Sequence, residues 1–235
     1  MDVKKVILGL ALSVILSNGS VVFAADFDKG FKAYNSSDFK TALAEWTPLA
    51  EQGYAEVQYN LGVMYANGRG VRENDKTAVK WYTLAAEQGN VRAQNDLGYS
   101  YQYGEGVEQN YETAAKWYTL AAEKGHASAQ HNLGLMYARG EGVQENHKTA
   151  VKWYTLAAKQ GYANAQTNLG FMFGTGRGVL TDNRKGYMWY NLGNYNGHKT
   201  AGVNKVIIAK EMTPADISKA QDMSSACLES NYTDC

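Results

Sequence analysis

Cysteine, proline and histidine are scarce in this chain, at two, two and four residues among 235. The two thiols, Cys227 and Cys235, have no histidine near them and make a poor metal-ligand set. The four histidines, His126, His131, His147 and His198, are scattered without the His-Glu-x-x-His spacing of a zinc hydrolase. No nucleophile elbow and no set-apart pair of carboxylates is present either, so the residues point to no catalytic group, no metal site and no cofactor. An excess of one charge is also missing: 23 Lys and Arg balance 23 Asp and Glu. The basic residues are spread without forming a stripe, which argues against nucleic acid or an anionic membrane as the main partner.

Long apolar runs are absent except at the start. Met1 to Lys5 carries two lysines, Val6 to Leu16 is apolar apart from Gly9 and Ser13, and Val22-Phe23-Ala24 ends on a small residue. Residues 1–24 therefore read as a secretory signal peptide cleaved after Ala24. A membrane-spanning helix is the alternative, but the run falls short of the roughly 20 apolar residues a span requires. In an exported chain the close pair Cys227 and Cys235 is expected to bridge and to pin the tail, with metal binding as the sharper alternative.

What the chain does have is repetition. Trp46, Trp81, Trp117, Trp153 and Trp189 stand 35, 36, 36 and 36 residues apart, and the surrounding text recurs with them. A period of this length marks supersecondary units that bury their apolar faces only by stacking on one another. Four 36-residue units are read at 55–90, 91–126, 127–162 and 163–198. A shorter helix pair at 25–54 precedes them as an N-terminal cap. Residues 199–235 follow as capping helices that close the open end, with Thr213-Pro214-Ala215-Asp216 starting the last one.

Each unit predicts two helices. In the first, or A-helix, Ala129, Leu133, Met136 and Tyr137 of the third unit form an apolar stripe at helical spacing. A glycine in mid-stripe (Gly62, Gly98, Gly134, Gly170) costs about 1 kcal/mol of helix propensity, so a neighbouring helix is expected to pack close there. The A-helix ends in a Gly-x-Gly-Val turn. A phosphate-cradling loop would need a preceding strand and a third glycine, whereas a left-handed helix C-cap explains four copies at one phase. In the second, or B-helix, Trp117 and Tyr118 face Ala114, Ala121 and Ala122, large rings set against small residues.

The unit A-x-x-x-L-G-x-x-Y-x-x-G-x-G-V followed by A-x-x-W-Y-x-x-A-A-x-x-G resembles the Sel-one-like repeat, a relative of the tetratricopeptide repeat. The resemblance covers 55–198 and implies an all-α fold: a right-handed α-solenoid of stacked antiparallel helix pairs. Phe173, Gly186, Gly193 and Asn194 depart from the pattern, so the fourth unit is expected to pack more loosely. The leading short unit and the cysteine-closed tail resemble those of exported bacterial members. The family consists mainly of adaptors and scaffolds. Its cysteine-rich branch has been linked to beta-lactam chemistry, but that branch carries a cysteine pair in every repeat and this chain does not.

Comparing the units with one another shows where the chain varies. Position 5 of the A-helix holds Tyr59, Asn95, His131 and Thr167; position 9 holds Val63, Tyr99, Leu135 and Phe171; position 13 holds Asn67, Tyr103, Arg139 and Thr175. At about 100° per residue, positions 2, 5, 9, 12 and 13 share one side, opposite the apolar stripe. In a right-handed solenoid this side lines the inner wall. Tyr59, Val63, Asn95, Tyr99, Tyr103, His131, Leu135, Arg139 and Phe171 are therefore the candidate lining of a protein-binding groove, of a composition enriched at interface hot spots. Packing between adjacent repeats at position 9, with ordinary solvated surface elsewhere, is the alternative. The expected partner is a protein or peptide, and the expected role is that of a non-catalytic periplasmic or secreted adaptor, monomeric because both ends are capped. A hydrolase or ligand-binding protein acting on cell-wall or beta-lactam compounds, or a secreted effector acting on host proteins, are the alternatives.

Overall fold

Residues 25–235 are described in the computed structural model, and the leader read at 1–24 lies outside them. Twelve α-helices and no strand occur among the described residues. They are α1 (Phe27–Asn35), α2 (Phe39–Glu51), α3 (Ala55–Ala66), α4 (Asp75–Glu87), α5 (Val91–Tyr103), α6 (Tyr111–Glu123), α7 (Ala127–Arg139), α8 (His147–Ala158), α9 (Ala163–Thr175), α10 (Asn183–Tyr195), α11 (Lys199–Ala209) and α12 (Pro214–Glu229). From α1 to α11 each helix packs chiefly on its neighbours in the chain, which is the organisation of an α-solenoid.

Local chemistry sets the helix ends. Asn74, Asn110, Asn146 and Asp182 cap the B-helices α4, α6, α8 and α10, each side chain accepting from the backbone N–H three residues on at 2.8–3.0 Å. The same residues tie down the long A-to-B loops, donating their own backbone N–H to the carbonyls of Tyr65, Tyr101, Tyr137 and Phe173 at 2.8–2.9 Å. Gly104, Gly140 and Gly176 end α5, α7 and α9 in the left-handed conformation (φ 75°, 69° and 71°). The loop's second glycine has a different task that the sequence reading did not assign. A Cβ on Gly106, Gly142 or Gly178 would collide with backbone at the start of the preceding unit's B-helix, at Asp75, Tyr111 or His147. That glycine lets adjacent units stack.

Close packing at the mid-helix glycines is as expected, and its partner is specific. A Cβ on Gly62, Gly98, Gly134 or Gly170 would lie 2.5–2.8 Å from the ring of Tyr82, Tyr118, Tyr154 or Tyr190, the tyrosine of the unit's own B-helix. Tyr118 and Tyr154 are fully buried there, and each buried ring contributes a few kcal/mol. A buried glutamine stitches the units together. The side-chain amides of Gln58, Gln94, Gln130 and Gln166 donate to the carbonyls of Ala50, Ala86, Ala122 and Ala158 at 3.0–3.1 Å. Each bond satisfies one open carbonyl at the end of the preceding B-helix.

Two expectations at the C-terminal end are corrected. The fourth unit is not loose: α10 buries seven residues, against five in α4 and α6. Its departures from the motif make room for α11. A Cβ on Gly186 would lie 2.7 Å from Ile208, and one on Gly193 3.2 Å from Ala201. The last segment also does not close the end. α12 lies along α10 rather than on α11. Met223, Cys227 and Leu228 join Met188, Trp189 and Leu192 in one cluster. Cys227 and Cys235 are disulfide-bonded with their Cα atoms 5.0 Å apart. The tail folds back so that the Tyr232 hydroxyl donates to Asn196 at 3.0 Å and Lys159 reaches the Thr233 carbonyl at 3.1 Å.

Candidate protein-binding groove

The A-helices α3, α5, α7 and α9 carry the variable positions. Position 9 forms a row in which Tyr99 is 43% and Phe171 40% exposed, while Val63 and Leu135 are half-buried. Asn67, Tyr103, Arg139 and Thr175 at position 13 are all exposed. These two rows are adjacent on the helix surface, four residues or about 40° apart. Tyr99 and Tyr103 show this directly, their ring centroids 4.5 Å apart. The Arg177 guanidinium stands over the Phe171 ring at 5.2 Å, a cation–π contact that keeps an aromatic face ordered at the surface.

Position 5 does not belong to this surface. His131 is 6% exposed, held between the rings of Tyr154 and Tyr162 at 5.8 and 5.3 Å. Burial pushes its pKa down to about 4, which keeps the imidazole neutral. Thr167 is buried likewise. Tyr59 is half-buried, against Tyr82 and under the Arg92 guanidinium of the next unit, itself paired with Glu56. Asn95 is also half-buried, its amide donating to Asp96 at 2.9 Å. Position 12 turns inward too: Gln102 is buried and accepts from the Tyr118 hydroxyl at 2.8 Å. Positions 5 and 12 lie about 40° and 60° from position 9 on the wheel, far enough round to enter the contact with neighbouring helices. Of the nine candidate residues, Tyr99, Tyr103, Arg139 and Phe171 are exposed, Val63 and Leu135 border them, Tyr59 meets the next unit through Arg92, and Asn95 and His131 pack within their own units.

One row was missed. Position 6 holds Asn60, Asp96, Asn132 and Asn168, with Asn204 at the equivalent place in α11, and every one of them is half-exposed. It lies about 60° from position 9, on the side away from position 5. A comparison that seeks variable positions passes over a row that hardly varies. The available signal was a near-invariant side-chain amide within a helix, where asparagine has poor propensity and no capping task. The phenols of Tyr118, Tyr154 and Tyr190 face Asn132, Asn168 and Asn204, while burial holds those phenols above their ordinary pKa. Asp96 is the single carboxylate of the row, and its burial raises its pKa.

Stacked helix pairs with one variable, partly aromatic helix surface define an α-solenoid scaffold. The Sel1 repeat pattern matches residues 55–90, 91–126, 127–162 and 163–198, and the chain belongs to the Sel1 repeat family. Among solved structures, the Sel1 repeat protein from Oxalobacter formigenes is 33% identical, with 77% of this chain and 74% of that chain covered and a TM-score of 0.71. The protein c5321 of uropathogenic Escherichia coli, described as a protective antigen displaying an SLR fold, is 27% identical with a TM-score of 0.57. That match covers 88% of this chain but only 54% of the E. coli protein. No curated protein matches the chain. Sel1 repeat proteins commonly mediate contacts between proteins, and no described helix is long and apolar enough to cross a membrane.

Proposed function

We propose that this protein is an exported, non-catalytic adaptor that holds a protein or peptide along the concave side formed by its A-helices. The observation that carries this reading is the exposed surface of Tyr99, Tyr103, Arg139 and Phe171, bordered by Leu135. It gathers aromatic, aliphatic and cationic groups in a family whose members bind other proteins. Half-buried amides at position 6 lie beside this row and offer donors and acceptors to an extended backbone. Export to a periplasm is supported by the character of residues 1–24, by the Cys227–Cys235 bridge and by the antigen description of the E. coli relative.

The test is an affinity capture from the producing cells after cross-linking, run beside a variant with alanine at Tyr99, Tyr103, Leu135 and Phe171. The expected outcome is a specific partner retained by the wild type and lost by the variant, with helical circular dichroism unchanged. Equal capture by both would sink the groove assignment. Mass measurement of the exported protein, expected to begin at Ala25, checks the localisation.

A further inference from the structure

Two units of the array cover aromatic rings with an arginine of their own, and one unit has the rings without the arginine. Position 15, in the loop after each A-helix, holds Arg69, Glu105, Glu141 and Arg177. Arg177 lies over Phe171 at 5.2 Å, and Arg69 lies over Tyr34 at 5.5 Å and Phe39 at 6.0 Å. In the second unit the rings of Tyr99 and Tyr103 are 4.5 Å apart between centroids and are 43% and 55% exposed. The residue at the arginine's place there is Glu105.

The glutamate is itself without a partner. In the third unit Glu141 pairs at 3.7 Å with Arg139, which stands two residues before it. Tyr103 holds that place in the second unit, and the exposed Glu105 is in no ion pair among the described residues. Its charge reaches the rings: burial first, and Glu105 after it, hold the Tyr99 phenol above its ordinary pKa. The neighbouring arginines are engaged elsewhere, Arg69 on Tyr34 and Phe39, Arg92 with Glu56 and over Tyr59, and Arg139 with Glu141. Lys76, whose backbone meets the same loop at Gly106, makes no ion pair with Glu105. Asp96, three residues before Tyr99 and about 60° round α5, adds a second carboxylate rather than a cation.

We propose that Tyr99, Tyr103 and Glu105 form the anchor site for an arginine of the protein or peptide held in the groove, its guanidinium stacked on the rings and bonded to the Glu105 carboxylate. This rests on the groove reading and names one residue of the partner. Arginine is the occupant because the chain itself sets a guanidinium on a ring from this position in the fourth unit. Its planar fork can also lie on a ring while its edge donates to a carboxylate. Lysine brings a point charge without the flat face. A neutral side chain leaves Glu105 unpaired, and an acidic one is repelled by it.

The experiment is an NMR titration of the purified protein with its tyrosine and phenylalanine rings isotope-labelled. The probe is a short peptide of serine and alanine with arginine at its centre. Matched peptides carry lysine there, or citrulline, which has the shape of arginine without the charge. The expected result is a shift of the Tyr99 and Tyr103 signals, with the arginine peptide bound about tenfold tighter than the citrulline one. Glu105→Arg sets the chain's own guanidinium at this place and should abolish the preference. Two other units already carry arginine there, so the fold accepts it. Arg177→Glu is the converse and should open a second arginine site, read as new shifts at Phe171, a gain that loss of folding does not produce. Equal binding of the arginine and citrulline peptides, lysine bound as tightly as arginine, a preference that survives Glu105→Arg, or no shift at Tyr99 and Tyr103 overturns the proposal. Affinity capture separates it from the groove reading. A partner lost by the four-alanine variant and retained by Glu105→Arg overturns the arginine anchor and leaves the groove, whereas a partner retained by both overturns the groove as well.

Discussion

The His131 imidazole, packed between Tyr154 and Tyr162 with its Nδ1 unpartnered, makes stability depend on pH. In the unfolded chain a histidine takes a proton near pH 6.5, whereas burial delays protonation here to about 4. Between these values the unfolded state binds more protons than the folded one, so stability falls as pH falls from 6.5 towards 4. At about 1.4 kcal/mol per pH unit the full interval amounts to about 3 kcal/mol. Thr167 fills the same position in the next unit without a titrating group, so His131→Thr should flatten this slope while remaining folded. Urea unfolding of both proteins at pH 7 and pH 5 measures it, and an equal loss in the two would remove His131 as the cause.

At the scale of the helix pair, the buried glutamines show how one substitution at a distance leaves a bond unmade. The carbonyl oxygens of Gln58, Gln130 and Gln166 accept from Gln88, Gln160 and Asn196 at 2.7–2.8 Å, residues at the end of the B-helix of the same unit. The equivalent residue for Gln94 is Lys124, whose ammonium donates instead to the Gly89 carbonyl at 2.9 Å. The Gln94 Oε1 is left buried without a partner. Lys124→Gln should supply the missing donor and stabilise the protein by about 1 kcal/mol. It should raise the urea midpoint with no change in the slope of the transition. A lower midpoint would mean that the exposed lysine contact is the stronger of the two.

Across the whole molecule, stability is a sum over units and their junctions, so damage at one end should stay local. The disulfide closes a loop between Cys227 and Cys235 that holds Tyr232 against Asn196 and Gly161. On the chain-entropy account a loop this short is worth about 2.5 kcal/mol. Replacing both cysteines with serine should speed amide exchange in α12 and at the end of α10 while leaving α3 to α6 as protected as before. Faster exchange throughout would show that the tail supports the entire array.

Number of units, helix type and turn chemistry were legible in the sequence because each is a short-range property repeated at one period. Five tryptophans set the count, and the Gly-x-Gly-Val turn marked the helix ends. The mid-helix glycines announced close packing, since only a missing Cβ admits the rings of Tyr82, Tyr118, Tyr154 and Tyr190. The tertiary structure decided what depends on neighbours. A helical wheel places His131 among surface residues, but the rings of Tyr154 and Tyr162 close over it, and the wheel carries no information about that packing. Variability picked out Tyr99, Tyr103 and Phe171, which are exposed, and passed over the asparagine row beside them, which hardly varies. The path of α12 was hidden for the same reason. Val206, at the place in α11 that is the mid-helix glycine of the four units, reads as one more apolar residue on a helix, and only the ring that packs at this position in every other unit shows why the last helix goes elsewhere.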